Sequence, residues 1–210
     1  MAIYNKNISI SIPKWNFCAK NNIALDFISP LAKRGLNEIC QISLSSFHRL
    51  HLDHNRPLVC ASQFGCWQQI LKLAERFYME REFSPAAFSK IPHNTFAGMI
   101  SIINKNTLPY TAIAAGNKTF EMGLIEAITQ KHEEVVYIYA EESTPETLLN
   151  FADVKPCALS MLISKNQGDY KFLFVRNRNA GVKTIHDFLE FLNGKSRSFS
   201  TSNFSMTRDF

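Results

Sequence analysis

Three histidines and two cysteines are the first residues in this sequence that suggest chemistry. His48, His51 and His54 are spaced three apart, and Cys60 and Cys66 follow shortly after them. A structural zinc site needs four nitrogen or sulfur ligands at short, turn-forming spacings. Here no Cys-x-x-Cys pair completes such a set. We therefore predict no metal site and no cofactor, and interpret the histidines as ordinary loop and surface residues.

The segment Thr111-Ala-Ile-Ala-Ala-Gly116 is the second candidate, because an apolar strand, a tight turn and a helix follow one another there. That order is typical of a nucleophile elbow, in which the helix N-terminus stabilises an anion. The turn carries only isoleucine, alanine and glycine, with no serine, cysteine or aspartate at its apex. The sequence thus has the strand, turn and helix of a nucleophile elbow but no nucleophilic side chain in its turn.

Composition describes a folded globular protein without a strong electrostatic signature. The 210 residues include 23 Lys+Arg and 18 Asp+Glu, and 46% are hydrophobic, which excludes a disordered chain. Basic residues do not form a stripe interleaved with aromatics, so we predict no nucleic-acid binding. No apolar run approaches the ~20 residues of a membrane span. Scattered cysteines, odd in number, and the lack of a signal-like start predict reduced thiols and a cytoplasmic protein.

Hydrophobic periodicity predicts the elements that position these residues. Apolar runs predict buried strands at Leu58–Ala61 and at 135–139. Helical spacing of apolar residues predicts a buried helix face from Trp67 to Tyr78, and further helices at 96–103, 117–130 and 184–192. Apolar segments around 166–169 predict a hairpin. Residues 196–210 are rich in serine, threonine and asparagine, and we expect a frayed polar tail.

The elbow resembles the Thr-Ala-Cys-Ala-x-Gly motif of β-ketoacyl synthases, with Ile113 where the acylated cysteine would stand. Further segments resemble the synthase-like N-terminal proteins of aryl polyene gene clusters, which are chain-length-factor-like subunits. They are Ala61-Ser-Gln-Phe-Gly65, Phe83-Ser-Pro85, Phe88-Ser89, His93-Asn-x-x-Ala-Gly98 and Tyr139-Ala-Glu-Glu142 with Pro145. The resemblance runs from about Ser11 to the C-terminus. Ser62, Gly65, His93, Asn94 and Gly98 belong to these segments, and we predict a structural role for them.

The resemblance implies an α/β, thiolase-like fold, corresponding to the N-terminal half of a β-ketoacyl synthase with a mixed five-stranded sheet and covering helices. We expect one half-domain over residues 1–195, followed by the tail at 196–210. The family's catalytic histidines lie in a second half-domain of similar size, which is absent from this sequence. With Ile113 at the nucleophile position, the resemblance implies a subunit without catalytic residues of its own. Such a subunit would form a heterodimer with an active β-ketoacyl-ACP synthase, act on acyl carrier protein through that complex, and support aryl polyene chain elongation.

The strand that feeds the elbow is an edge strand in thiolase-like folds and pairs across the dimer. The corresponding residues have no lysine or glutamate to protect an edge. The alternative is a central strand buried within this chain, and the resemblance favours the interface. We therefore assign to the partner interface or acyl tunnel the elbow and its flanks, namely Tyr110, Thr111, Ala112, Ile113, Ala114, Ala115, Gly116 and Phe120.

Two other functions remain open from the sequence. One is a small thiol-dependent hydrolase using Cys60 or Cys66, which an iodoacetamide-sensitive activity of the isolated chain would support. The other is a stand-alone module that binds an acyl group or acyl carrier protein, which a stable monomer would support. For Ile113 itself, a wall of the acyl tunnel and a packing residue of the core are both compatible with its apolar, β-branched side chain.

Overall fold

A computed structural model describes residues 7–165, 168–177, 180–181 and 183–208. Within these ranges eight strands form one mixed sheet in the order β3-β2-β4-β5-β1-β6-β8-β7. The strands are β1 (Asn7–Ala19), β2 (Leu58–Ala61), β3 (Tyr110–Ile113), β4 (Glu134–Glu141), β5 (Cys157–Ser164), β6 (Tyr170–Phe174), β7 (Ser198–Ser200) and β8 (Phe204–Arg208). The helices are α1 (Pro30–Lys33), α2 (Glu38–His48), α3 (Trp67–Glu80), α4 (Pro85–Phe88), α5 (Thr95–Ile103), α6 (Thr119–Thr129) and α7 (Ile185–Leu192).

The α/β class and the two buried strands predicted from apolar runs are confirmed. Strand β2 is buried at all four residues and pairs in parallel with β3 on one side and β4 on the other. Helices α2 and α5 cover one face of the sheet, and α6 and α7 cover the other. Strands covered on both faces read as continuous apolar runs, which is why the sequence located these strands correctly.

The predicted count of five strands is wrong, and so is the predicted hairpin. Strand β1 is 13 residues long and lies between β5 and β6, pairing antiparallel with both. The two apolar segments at 157–164 and 170–174 therefore pair with β1 and not with each other. Asn166 and Gln167, at the centre of the proposed turn, lie outside the described residues. The pairing of β5 and β6 with β1 joins residues far apart in the sequence, and a local turn pattern gives no information about such contacts.

The predicted frayed tail is also wrong. Strands β7 and β8 pair with each other, and β8 extends the sheet through β6. Phe199 and Phe204 are buried in an aromatic cluster with Phe188. The carboxylate of Glu121 on α6 accepts hydrogen bonds from the Thr201 hydroxyl and the Asn203 amide. Two buried phenylalanines and these bonds order a segment whose polar composition alone indicates disorder.

Helix α3 forms as predicted, but its apolar face is not buried within this chain. Trp67 is the one buried residue of the helix, whereas Phe77 is 50% exposed and Tyr78 is 74% exposed. The predicted burial of this face is therefore wrong. Helical periodicity identifies an apolar face and does not identify what covers it. Across the part of the chain described here, no helix combines the length and apolar character needed to cross a membrane.

Candidate functional site: the elbow after β3 and the loops beside it

The predicted strand, turn and helix of the elbow are all present. Strand β3 ends at Ile113, and the chain turns through Gly116, whose φ of +56° lies in the left-handed region that favours glycine. A short 3-10 helix, Gly116–Lys118, then leads into α6. The Thr119 hydroxyl accepts a hydrogen bond from the Ala115 amide at 2.8 Å and donates to the Gly116 carbonyl at 2.7 Å. One side chain thus holds both sides of the turn.

Ile113 lies at the end of β3 with its side chain half-buried against the core on the α6 side of the sheet. Its carbonyl accepts a hydrogen bond from the Ser62 amide at 3.1 Å, which ties the elbow to the end of β2. Tyr110 and Ala112 are exposed, and so are the turn residues Ala114, Ala115 and Gly116; Thr111 is half-buried.

Phe120 is buried and 6% exposed, in contact with the rings of Tyr137, Tyr139 and Phe188. Phe120 therefore belongs to the core of this chain and not to an exposed partner surface, and its assignment to the acyl tunnel stays a prediction. Its closeness to the elbow in sequence did not indicate whether its side chain points into the core of this chain or towards a partner.

Strand β3 is the last strand at its side of the described sheet and pairs with β2 alone there. The Leu58 amide donates to the Pro109 carbonyl, and the Ser62 amide donates to the Ile113 carbonyl, each at 3.1 Å. In a strand, alternate residues direct their backbone groups to opposite sides. Odd-numbered residues of β3 therefore face β2, and the amides and carbonyls of Tyr110 and Ala112 point to the open edge.

The loop between β2 and α3 contains two of the residues predicted to be structural. The Ser62 hydroxyl accepts a hydrogen bond from the Gly65 amide at 2.8 Å. Gly65 has φ +62°, and a Cβ placed on it would lie 3.1 Å from the His93 ring. His93 Nε2 lies 3.5 Å from the Gln63 carbonyl. Glycine is thus needed at position 65 both for its backbone conformation and for the close approach of the imidazole.

Asn94 and Gly98 bring the start of α5 against β3. The Asn94 side-chain amide donates to the Tyr110 hydroxyl at 3.4 Å, and a Cβ on Gly98 would lie 3.7 Å from the same oxygen. The structure therefore gathers all five predicted structural residues around the loop after β2 and the strand before the elbow. Their contacts are packing and hydrogen bonds within the chain.

Sequence reasoning did not foresee the role of Glu141 at the end of β4. Its buried carboxylate accepts hydrogen bonds from the Ser62 hydroxyl at 3.1 Å, from the Phe64 amide at 3.2 Å and from the Gln63 amide. Burial raises the pKa of Glu141, and these hydrogen bonds oppose that rise. The signal in the sequence was a pair of acidic residues directly after an apolar strand, which the sequence analysis used only as part of a resemblance.

Comparison with known proteins identifies the family. The β-ketoacyl synthase N-terminal domain matches residues 12–189. The chain belongs to this family. No curated protein sequence matches it.

Several solved structures of ketosynthases have the same fold as this chain. The ketosynthase ApeO in complex with its chain length factor ApeC from Xenorhabdus doucetiae matches with a TM-score of 0.76 and 19% identity, covering 95% of this chain and 99% of the matched chain. The ishigamide ketosynthase/chain length factor matches with a TM-score of 0.65 and 12% identity over 79% of this chain and 66% of that one. A type II polyketide ketosynthase bound to its acyl-carrier protein, AntDE:AntF, has a TM-score of 0.60 and 10% identity, with 83% and 71% covered. These likenesses confirm the thiolase-like fold.

The two cysteines considered for a hydrolase, Cys60 and Cys66, are not in a setting that activates a thiol. Cys60 and Cys66 are buried, and burial raises the pKa of Cys66 to about 12 and that of Cys60 further. Because the thiolate is the reactive form of cysteine, neither thiol is activated for hydrolysis at neutral pH. The geometry therefore gives no support to the thiol-dependent hydrolase.

The histidine cluster does not form a metal site in the described ranges, where no group of His, Cys, Asp or Glu side chains is arranged to hold an ion. The His48 ring stacks on Phe27 at 3.7 Å between centroids. His54 contacts Asp53 at 2.8 Å. His48, at the end of α2, thus packs on an aromatic ring, and His54 pairs with a neighbouring carboxylate.

An apolar groove runs between α3 and the segment that follows it. It encloses about 410 Å³. Its lining is entirely apolar and consists of Ile70, Leu73, Ala74, Phe77, Phe83, Phe88 and Ile91. One wall of this groove is formed by apolar residues on the exposed face of α3, and we refer to it as the α3 groove.

Proposed function

We propose that this chain is a non-catalytic, chain-length-factor-like subunit that forms a heterodimer with an active β-ketoacyl-ACP synthase. The observation that carries the proposal is Ile113 at the end of β3, where the elbow begins and where the resembled motif has its cysteine, in a chain that belongs to the β-ketoacyl synthase N-terminal domain family. Condensation passes through an acyl group held on a nucleophile. An isoleucine side chain cannot be acylated, so the reacting cysteine must belong to the partner.

The open edge of β3 supports the assembly part of the proposal. Tyr110 and Ala112 present unpaired backbone groups along that edge, and both side chains are exposed. Such an edge is normally paired, covered or guarded by charge, and β3 contains no charged residue. We propose that Tyr110 and Ala112 pair with the partner through these groups, with Thr111 between them at the contact, while the turn at Ala114, Ala115 and Gly116 lies beside it.

Exposed apolar side chains also support an assembly. Among the large exposed apolar residues, Ile70, Phe77, Phe83 and Phe88 meet in the α3 groove. Contiguous exposed apolar surface of this kind marks interaction sites in proteins that function as complexes. We propose an obligate interface of roughly 2,000 Å² in total.

The product proposed for the complex is an aryl polyene or a related polyene acyl chain, elongated on acyl carrier protein. Support comes from the ordered motifs of the sequence and from the fold shared with ketosynthase and chain length factor complexes. Five free cysteines among the described residues favour a reducing compartment, so we propose that the complex works in the cytoplasm.

The proposal is tested by expressing the chain with and without its cognate synthase and separating the products by size-exclusion chromatography. We expect the chain alone to self-associate or precipitate, and the co-expressed chain to elute with the synthase as a heterodimer of higher melting temperature. A well-behaved monomer that does not bind the synthase would contradict the proposal and favour a stand-alone binding module.

Replacing Ile113 by tryptophan distinguishes the two roles of this residue. Because its side chain already packs against the core, we expect Ile113→Trp to lower the melting temperature of the reconstituted complex through overpacking of about 1–3 kcal/mol. The distribution of product lengths should stay unchanged. A shifted distribution with an unchanged melting temperature would instead place Ile113 in the acyl tunnel.

A further inference from the structure

Hydrogen bonds tie helix α3 to the segment after β4 through its first two residues. Trp67 is buried, and its indole nitrogen donates to the Ser143 carbonyl at 3.0 Å. The Gln68 amide donates to a carboxylate oxygen of Glu142 at 2.8 Å, and its side chain donates to the Ser143 carbonyl at 3.0 Å. Residues 69–80 are half-buried or exposed. The position of the whole helix, with one wall of the α3 groove, therefore depends on this N-terminal contact.

Three glutamates meet at that contact and form what we call the carboxylate cluster: Glu38, Glu141 and Glu142. Glu142 is 1% exposed and Glu141 is 2% exposed. Glu38 accepts hydrogen bonds from the amide and the hydroxyl of Ser143 and pairs with Lys20 at 2.9 Å. Hydrogen bonds connect Glu38 of α2 to Ser143, just after β4, and connect Glu142 to the start of α3. The carboxylate cluster therefore joins α2, the end of β4 and α3.

The groups around Glu142 are acidic or neutral. Glu38 and Cys40 face it from α2, Cys66 from the residue before α3, and Glu141 from β4. Lys20 pairs with Glu38, and Lys90 acts on Cys40. In the described part of the chain no cation forms an ion pair with Glu142. A buried carboxylate without a cation is destabilised when it ionises.

The two main members of the cluster titrate differently. Burial, reinforced by the charges of Glu38 and Glu141, raises the pKa of Glu142 to about 7, against the lowering effect of the Gln68 and Ile39 amides. For Glu38, burial acts in the raising direction, but hydrogen bonds from Ser143 and the contact with Lys20 lower its pKa overall. Near neutral pH, Glu142 therefore ionises beside a Glu38 that already carries a charge.

We propose that the carboxylate cluster makes the attachment of α3 pH-dependent, with α3 held when Glu142 is protonated and released locally when it is ionised. Detachment of the helix exposes Glu142 to water and returns its pKa towards the ordinary value of 4.5. Because the pKa of Glu142 is raised while α3 is attached, protonation of Glu142 stabilises the attached state, and this stabilisation is complete below the ordinary pKa of a glutamate. It is lost as pH rises through the window up to about 7. Above that window the opening equilibrium is constant.

Amide hydrogen exchange of the full chain, purified alone or with its co-expressed partner, measures this opening. After correction for intrinsic exchange rates, we expect protection of α3 amides to fall by about tenfold per pH unit between about pH 5.5 and about pH 7, and to level off above. Helix α6, whose inner face is buried in the core, serves as the internal reference and should keep its protection. Loss of protection in α3 and α6 together would indicate global unfolding and would overturn the proposal.

Two matched variants identify the titrating group. Glu142→Gln keeps a carbonyl oxygen for the Gln68 amide and cannot ionise, so the α3 profile should become flat with pH. Glu75→Gln removes an exposed carboxylate from α3 itself and leaves the carboxylate cluster intact, so it should reproduce the profile of the unaltered chain. An unaltered chain with no pH dependence in α3, or a Glu142→Gln variant that retains it, would overturn the proposal.

Discussion

Replacing Ala112 by proline is expected to weaken assembly with the synthase strongly while the chain itself stays folded. The Ala112 amide points to the open edge of β3, away from β2, as the bonds to the Pro109 and Ile113 carbonyls indicate. Proline removes a backbone donor and is tolerated in edge strands where that donor faces outward. The variant loses a cross-subunit hydrogen bond and gains a ring at the contact. We expect a loss of about 3 kcal/mol, which is roughly a hundredfold in Kd.

The measurement is the Kd of the co-expressed heterodimer, from its dissociation on dilution, with the melting temperature of the complex at high concentration as a check on folding. Ala112→Ser is the matched control, since it keeps the amide and the small size and should bind as the unaltered chain does. Thr111→Pro is a second control, because its amide faces β2 and its loss should lower the melting temperature. An Ala112→Pro variant that binds the synthase with unchanged affinity would show that β3 does not form the interface.

Replacing Glu141 by alanine is expected to destabilise the chain more than a substitution at any predicted structural residue. The variant leaves the Ser62 hydroxyl and the amides of Gln63 and Phe64 without their acceptor in a partly buried loop. Each unsatisfied buried donor costs about 1–3 kcal/mol, and removal of a buried carboxylate offsets part of this. We expect a net loss of about 3 kcal/mol, which corresponds to a fall of about 6–12 °C in melting temperature for a chain of this size.

Glu141→Gln is the matched control for that experiment, because it retains one acceptor oxygen and nearly the same volume. It should lower the melting temperature by less than half as much as alanine does. Equal effects of the two variants would show that the packing of the side chain, rather than its acceptor oxygens, stabilises the loop between β2 and α3.

The parts of the fold that the sequence predicted well are those determined by local pattern. Apolar runs located β2 and β4, and the helical spacing of apolar residues located α7. Pairing of distant strands was not predictable in this way. The insertion of β1 between β5 and β6 depends on residues more than a hundred positions apart, and the hairpin signal at 166–169 gave no information about it.

Helix α3 shows the limit of amphipathic pattern. Its apolar spacing is the same whether a partner or the chain itself covers the face, and the prediction chose the chain. For the candidate site, the sequence predicted the elbow and showed that its turn has no nucleophilic side chain. Glu141 and Glu142 were not, because their role depends on the loop after β2 folding back onto the end of β4.

Intact-protein mass spectrometry of the co-purified complex after incubation with acyl-loaded acyl carrier protein tests the central claim most directly. Only a nucleophilic side chain can retain the acyl group, and in this chain Ile113, at the end of β3, stands where the resembled motif has its cysteine. We predict that the acyl mass appears on the synthase alone and that this chain keeps its unmodified mass. An acyl adduct on this chain that a Cys→Ala substitution in it removes would contradict the claim that it is the non-catalytic subunit.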